Sequence, residues 1–209
     1  MDVQFYGANC IVISDRQARI VVDDNLAELG AKSVSKEGDI ALFTQAHTGA
    51  LAPSPKLMID QPGEYEVSGV SIYGIAARAH IDEEGKKTAT MYKLIVDDTS
   101  ILITGHIYPE LTDDQLETIG TVDVMVVPVG GNGYTLDGVG ALKLIKKIEP
   151  KLIIPTHFDD SSLKFPVPQQ PLDQCLNALA MEPKETIAKL KLKASEVGDV
   201  TQLVVLEKP

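Results

Sequence analysis

Residues 124–154 constrain the fold more than any other part of the chain. Two runs, 124–127 (VMVV) and 151–154 (KLII), are apolar at nearly every position, so neither reads as a strand with one wet face. Between them, residues 137–148 place Ala141, Leu144, Ile145 and Ile148 on one side of a 3.6-residue period and Lys143, Lys146 and Lys147 on the other. Asp137 can cap such a helix at its start, and Pro150 stops it. Strand, helix and strand at this spacing predict a right-handed crossover between two parallel, buried strands.

The first half supplies further strands. Runs 3–14 and 18–23 flank the turn Asp15-Arg16-Gln17, and 40–44 follows Gly38-Asp39. Run 56–60 stops at Gln61-Pro62-Gly63, 65–75 alternates imperfectly, and 92–96 and 101–104 flank Asp97-Asp98-Thr99. Asp113–Ile119 and 172–181 predict two more helices, while 188–192 and Gln202–Leu206 predict a closing pair of strands. Hairpin, excursion and buried strand over residues 10–44 are echoed over 91–127. Two such units predict two stacked sheets with helices outside, an α/β/β/α sandwich. The expected organisation is a single domain, 1–209, built from two similar halves of about 1–90 and 91–209.

Nineteen Lys and Arg against 30 Asp and Glu give a net charge of −11, which argues against nucleic acid or an anionic membrane surface as the main partner. No apolar run approaches the roughly 18 residues needed to cross a bilayer. The opening MDVQFYGANC carries neither a basic segment nor a signal-peptide core, so a cytoplasmic location is expected. Cys10 and Cys175 match no zinc or redox spacing and read as reduced and buried. Phe165-Pro166-Val167-Pro168 is a candidate contact for a homo-oligomer.

Chemistry has few places to sit. His47, His106 and His157 each follow a predicted strand directly, as do Asp23-Asp24 and Gly130-Gly131. Functional groups in layered α/β folds gather beyond strand ends, so neighbouring strands would bring these residues to one rim. Tyr134 either hydrogen-bonds a ligand there or closes its loop. His80 lies in the charged stretch 78–87 and reads as solvated. Gly130-Gly131-Asn132-Gly133 lacks the Lys-Ser/Thr of a phosphate loop and reads as a tight turn.

Several segments together resemble the metallo-β-lactamase-fold superfamily, in particular a small bacterial and archaeal branch of zinc-dependent hydrolases. The opening hairpin Phe5-Tyr6-Gly7 through Val21-Val22-Asp23, the run Pro62-Gly63-Glu64-Tyr65-Glu66-Val67, the loop Pro128-Val129-Gly130-Gly131 with Tyr134-Thr135, and Ile154-Pro155-Thr156-His157-Phe158 carry the resemblance. It implies the four-layer αβ/βα sandwich and two zinc ions held by His-x-His-x-Asp-His and later ligands. At the motif this chain reads Gln45-Ala46-His47-Thr48-Gly49-Ala50, which keeps only His47. Ile103 stands at a further ligand position and His106 where the bridging Asp is implied, while His157 is kept. Gly49 and Ala50 have no group that can bind a metal. No cofactor is therefore expected, and the chain reads as a binding or interaction protein for a small molecule or protein partner. The alternative is one zinc or similar divalent metal on His47, His106 and His157, with Asp23 orienting an imidazole, serving ester, amide or phosphoester hydrolysis. A metal-free enzyme using the same rim is the third reading.

Overall fold

In the computed structural model, which describes residues 1–49, 51, 53–193, 198 and 200–209, the apolar runs assemble into two mixed sheets. The first contains β1 (Asp2–Gly7), β2 (Cys10–Ser14), β3 (Arg19–Val22), β4 (Ile40–Leu42) and β5 (Leu57–Ile59) in that spatial order, with β13 (Leu190–Lys191) beside β1. The second runs β6 (Gly63–Val67), β7 (Val70–Ala77), β8 (Ala89–Val96), β9 (Thr99–Ile103), β10 (Val124–Pro128), β11 (Leu152–Thr156), β14 (Gln202–Leu206) and β12 (Glu185–Ile187). The helices are α1 (Asp113–Ile119), α2 (Gly138–Ile148) and α3 (Leu172–Leu179).

The expected crossover is present. β10 and β11 pair in parallel, with α2 between them and Asp137 accepting from the Gly140 amide at 2.7 Å. The internal echo is visible in the pairing. β2 and β3 are antiparallel and β3 pairs with β4 in parallel; β8, β9 and β10 repeat that sequence of pairings. The midpoint at residues 90/91 nevertheless falls inside β8, and β6 to β8 form one antiparallel run of the second sheet.

Period-2 alternation sorts the cores. Ile101 and Ile103 of β9 face the first sheet with Ile11, Leu42, Leu94 and Ile154, whereas Leu102 faces outward with Met125 and Ile153 against Ala141, Leu144 and Leu179 of the helices. Burying each such side chain fully contributes about 1.5–3 kcal/mol. All three helices pack on the second sheet. The outer face of the first is covered by loops, where Leu26, Leu29, Leu163 and Phe165 pack on Cys10, Val12 and Val21.

Some expectations need correction. Residues 3–14 are two strands, broken at Ala8-Asn9, where Gly7 (φ 110°) and Ala8 (φ 48°) make the turn without an Asn-Gly or Pro signal. Residues 65–75 likewise split at Ser68-Gly69, both at positive φ, as a tight hairpin requires. The two closing runs do not pair with each other. β14 joins β11 and β12, while β13 crosses to β1 of the other sheet. Phe165 is half-buried and packs on the His157 ring, centroids 5.0 Å apart, while Pro166 and Pro168 beside it are exposed.

Candidate functional site

The loops after β3, β4, β9 and β11 meet at one end of the sandwich. A chain of buried polar groups joins them. Thr156 Oγ1 donates to Asn9 Oδ1 (2.7 Å), Asn9 Nδ2 donates to Asp23 Oδ2 (3.0 Å), and Asp23 receives both the Thr44 amide (2.7 Å) and the Thr44 hydroxyl (2.7 Å). Burial raises the Asp23 carboxyl above its ordinary value, against the lowering by the Thr44 and Asn9 hydrogen bonds. These are its hydrogen-bond donors among the described residues, and no imidazole is one of them. Asp24 is structural too, its Oδ2 accepting from Ser33 Oγ, Ser35 Oγ and the amides of Val34 and Ser35.

Two of the expected histidines come together above this chain. The His106 and His157 rings meet edge to face, centroids 4.5 Å apart, and Tyr134 lies 5.1 Å from the first and 5.8 Å from the second. Burial, then His157 and His80, pushes His106 well below the ordinary 6.5; burial takes His157 to about 4. Both imidazoles are therefore neutral near pH 7. The Tyr134 hydroxyl is raised by burial, then by Asp23 and Glu28, and stays protonated. The rim thus offers neutral donors and acceptors in front of a buried carboxylate.

His47 stands apart. It stacks on Phe43 (4.1 Å), its amide donates to Asp60 (3.0 Å), and its ring Nε2 is buried without a partner. No ring contact joins it to the other two, and among the described residues no three His, Cys, Asp or Glu gather as a metal-ligand set. Gln45 pairs through its backbone with Ala89. Ala50 lies outside the described residues. Ile103 is the last residue of β9 and lies in the inter-sheet core at 1% exposure, so a side chain there does not reach the rim. His80 is not simply solvated as expected. It is half-buried, its amide donates to the His106 carbonyl (2.7 Å), and its Nδ1 is buried and unpartnered.

Sequence reasoning missed Asn9, Thr44, Thr156 and Gln169. Gln169 is 5% exposed, and its Oε1 lies 3.1 Å from His157 Nδ1. Two glycines carried the only available signal. A Cβ at Gly130 would fall 2.0 Å from the His157 carbonyl oxygen and 2.3 Å from Gln169 Oε1. Gly105, at φ 61°, would place one 2.4 Å from Thr44 Cβ. Bulk does not coincide with this chemistry. A groove of about 480 Å³ lined by Phe5, Phe158, Leu172 and Val205 contains none of the site residues above.

A two-sheet α/β sandwich with its polar residues gathered at one strand-end rim is the metallo-β-lactamase architecture. The comparisons agree. A family model described as the beta-lactamase superfamily domain matches residues 2–157, and the chain belongs to that family. A protein from Thermotoga maritima, named for zinc-dependent hydrolysis within the metallo-β-lactamase superfamily, superposes with TM-score 0.75 at 24% identity over 99% of this chain and 98% of that one. Igni18, a metallo hydrolase from Ignicoccus hospitalis, gives 0.59 at 16% over 100% and 95%. These likenesses show the fold. A UPF0173 metal-dependent hydrolase from Carboxydothermus hydrogenoformans is 43% identical over 44 residues, 21% of this chain; the match spans only 19% of that relative. No helix among the described residues is long and apolar enough to cross a membrane.

Proposed function

We propose that this chain keeps the metallo-β-lactamase scaffold but has exchanged the paired-cation site for a metal-free polar rim, and that it works as a binding or interaction protein for a small molecule or protein partner. The donor set carries this reading. Gln45, Gly49 and Ala50 stand at three of the four positions of the inherited motif, and Ile103 is core. A catalytic zinc generally keeps three protein ligands. The contacts supply two neutral imidazoles, His106 and His157, with His47 apart. The residues do not fit two cations. The names of the relatives, which speak of metal-dependent hydrolysis, are what this reading departs from.

One observation favours a second reading, a hydrolase with a single divalent metal on His47, His106 and His157. His47 Nε2 and His106 Nδ1 are buried without hydrogen-bond partners, and a cation would satisfy such atoms. Metal content separates the two. Untagged protein is analysed for zinc, iron and manganese per chain, and its melting is followed with added zinc. Substoichiometric metal and an unchanged melting temperature are expected. Stoichiometric metal that disappears in His106→Ala overturns the proposal in favour of the second reading. Gln45→His, Gly49→Asp, Ala50→His and His106→Asp combined should restore zinc uptake where the natural chain has little.

A further inference from the structure

His157 has its proton placed by its surroundings. Its Nδ1 faces Gln169 Oε1, and the other end of that amide, Nε2, donates to the Val167 carbonyl at 2.7 Å. A peptide carbonyl only accepts, so the amide cannot be turned round without setting two oxygens against each other. Gln169 Oε1 is therefore an acceptor, and His157 must carry its hydrogen on Nδ1. The distal nitrogen Nε2 keeps its lone pair and meets no hydrogen-bond partner among the described residues.

This arrangement is built rather than incidental. Gly130 leaves the space that the His157 carbonyl and Gln169 Oε1 occupy, and the Gln170 amide donates to the Gly130 carbonyl at 2.8 Å. Asp159 in turn donates its amide to Gln170 (2.9 Å), which pins the segment against the end of β11. A second observation points to a ligand at the same place. His106, packed on the His157 ring, is 9% exposed and holds a ring nitrogen, Nδ1, that is buried and unpartnered. The rings packed on the pair are Tyr134 and Phe165, neither of them charged, and the charges acting on Tyr134 are the carboxylates Asp23 and Glu28.

We propose that Gln169 is a positioning residue that fixes the Nδ1–H tautomer of His157, so that its Nε2 lone pair receives a small uncharged hydrogen-bond donor of the amide or alcohol class and discriminates against anions. This rests on the metal-free reading of the rim. An anion brings acceptors to an acceptor and sits near a buried carboxylate; an amide or alcohol brings the missing hydrogen.

The test uses the full chain at about pH 7.5 with a chelator present. Long-range ¹H–¹⁵N spectra of the imidazoles read the tautomer directly, and acetamide, methyl acetate and acetate serve as probes of matched size. The expected spectrum shows His157 as the Nδ1–H form. Acetamide should shift its Nε2 signal at concentrations about tenfold lower than either of the other probes. Gln169→Leu should mix the tautomers and weaken acetamide by about tenfold, while Gln169→Asn, which keeps an acceptor and a donor on one amide, should retain more of the tautomer than Leu does. A His157 protonated on Nε2, a tautomer unmoved in Gln169→Leu, acetate binding as tightly as acetamide, or no shift with any probe overturns the proposal. Tightly held zinc in the untreated protein would instead sink the metal-free reading, leaving the chelated tautomer spectrum to be judged by itself.

Discussion

Acidification should cost this protein stability through His157 in particular. The imidazole is 4% exposed, and burial takes its pKa from the ordinary 6.5 to about 4. Between those values the unfolded chain binds a proton that the native state refuses. Stability is therefore full above pH 6.5 and is lost as pH falls towards 4. By pH 4.5 the loss from this one group is about 2.5 kcal/mol. His106 is depressed as well and acts with the same sign. Asp23 acts oppositely, because its raised carboxyl adds stability on protonation and loses it as pH rises from its unfolded value. The variant that isolates His157 is His157→Asn. His157 sits at φ 56°, a left-handed position that Asn tolerates better than most residues, and the Asn amide can still donate towards Gln169. Urea unfolding of both proteins near pH 7 and 4.5, with chelator throughout, gives two pH-dependent losses. The natural chain should lose about 2.5 kcal/mol more than the variant. Equal losses would show that His157 does not reach the acid range through burial.

Three other outcomes follow from the same geometry. Gly130→Ala, whose new methyl would lie 2.0 Å from the His157 carbonyl oxygen, should cost about 3 kcal/mol or more in chemical unfolding, even though φ is ordinary there. Thr44→Val removes the hydroxyl bound to Asp23 at 2.7 Å and should cost about 1.5–3 kcal/mol by the same assay, with Thr44→Ser recovering part of it. Cys10 and Cys175 are both buried, and burial raises the thiols, that of Cys175 to about 11. A disulfide reagent at pH 7.5 should therefore release colour only after denaturation.

Much of the fold was legible because it is written in local patterns. α1 and β14 occupy the predicted residues, and α2 starts at the predicted cap, since periodicity, capping and Pro stops are local physics. The hairpins at Ala8-Asn9 and Ser68-Gly69 were legible only from Gly7, Asn9 and Gly69, single turn residues set inside stretches whose alternation continues on both sides. The outer layer over the first sheet is less legible for another reason. Residues 24–35 and 158–170 bury scattered side chains through loop backbone, which has no period. At the rim, strand-end positions pointed to Asp23, His106 and His157, which the fold brings to one end of the sandwich. They could not reveal Asn9, Thr44, Thr156 or Gln169, whose roles depend on pairings across as many as 147 residues of sequence. A strand-end position alone does not distinguish His47 from the other two histidines. Its stack on Phe43 holds it aside.

The hydrogen-bonded run from Thr156 through Asn9 and Asp23 to Thr44 starts in the second sheet and finishes just past β4 of the first. The two halves of the sandwich are thus geared at this end. Removing one link should therefore loosen the segment after β4 together with the backbone carrying His157, whose own amide is tied to the Ala8 carbonyl at 2.7 Å.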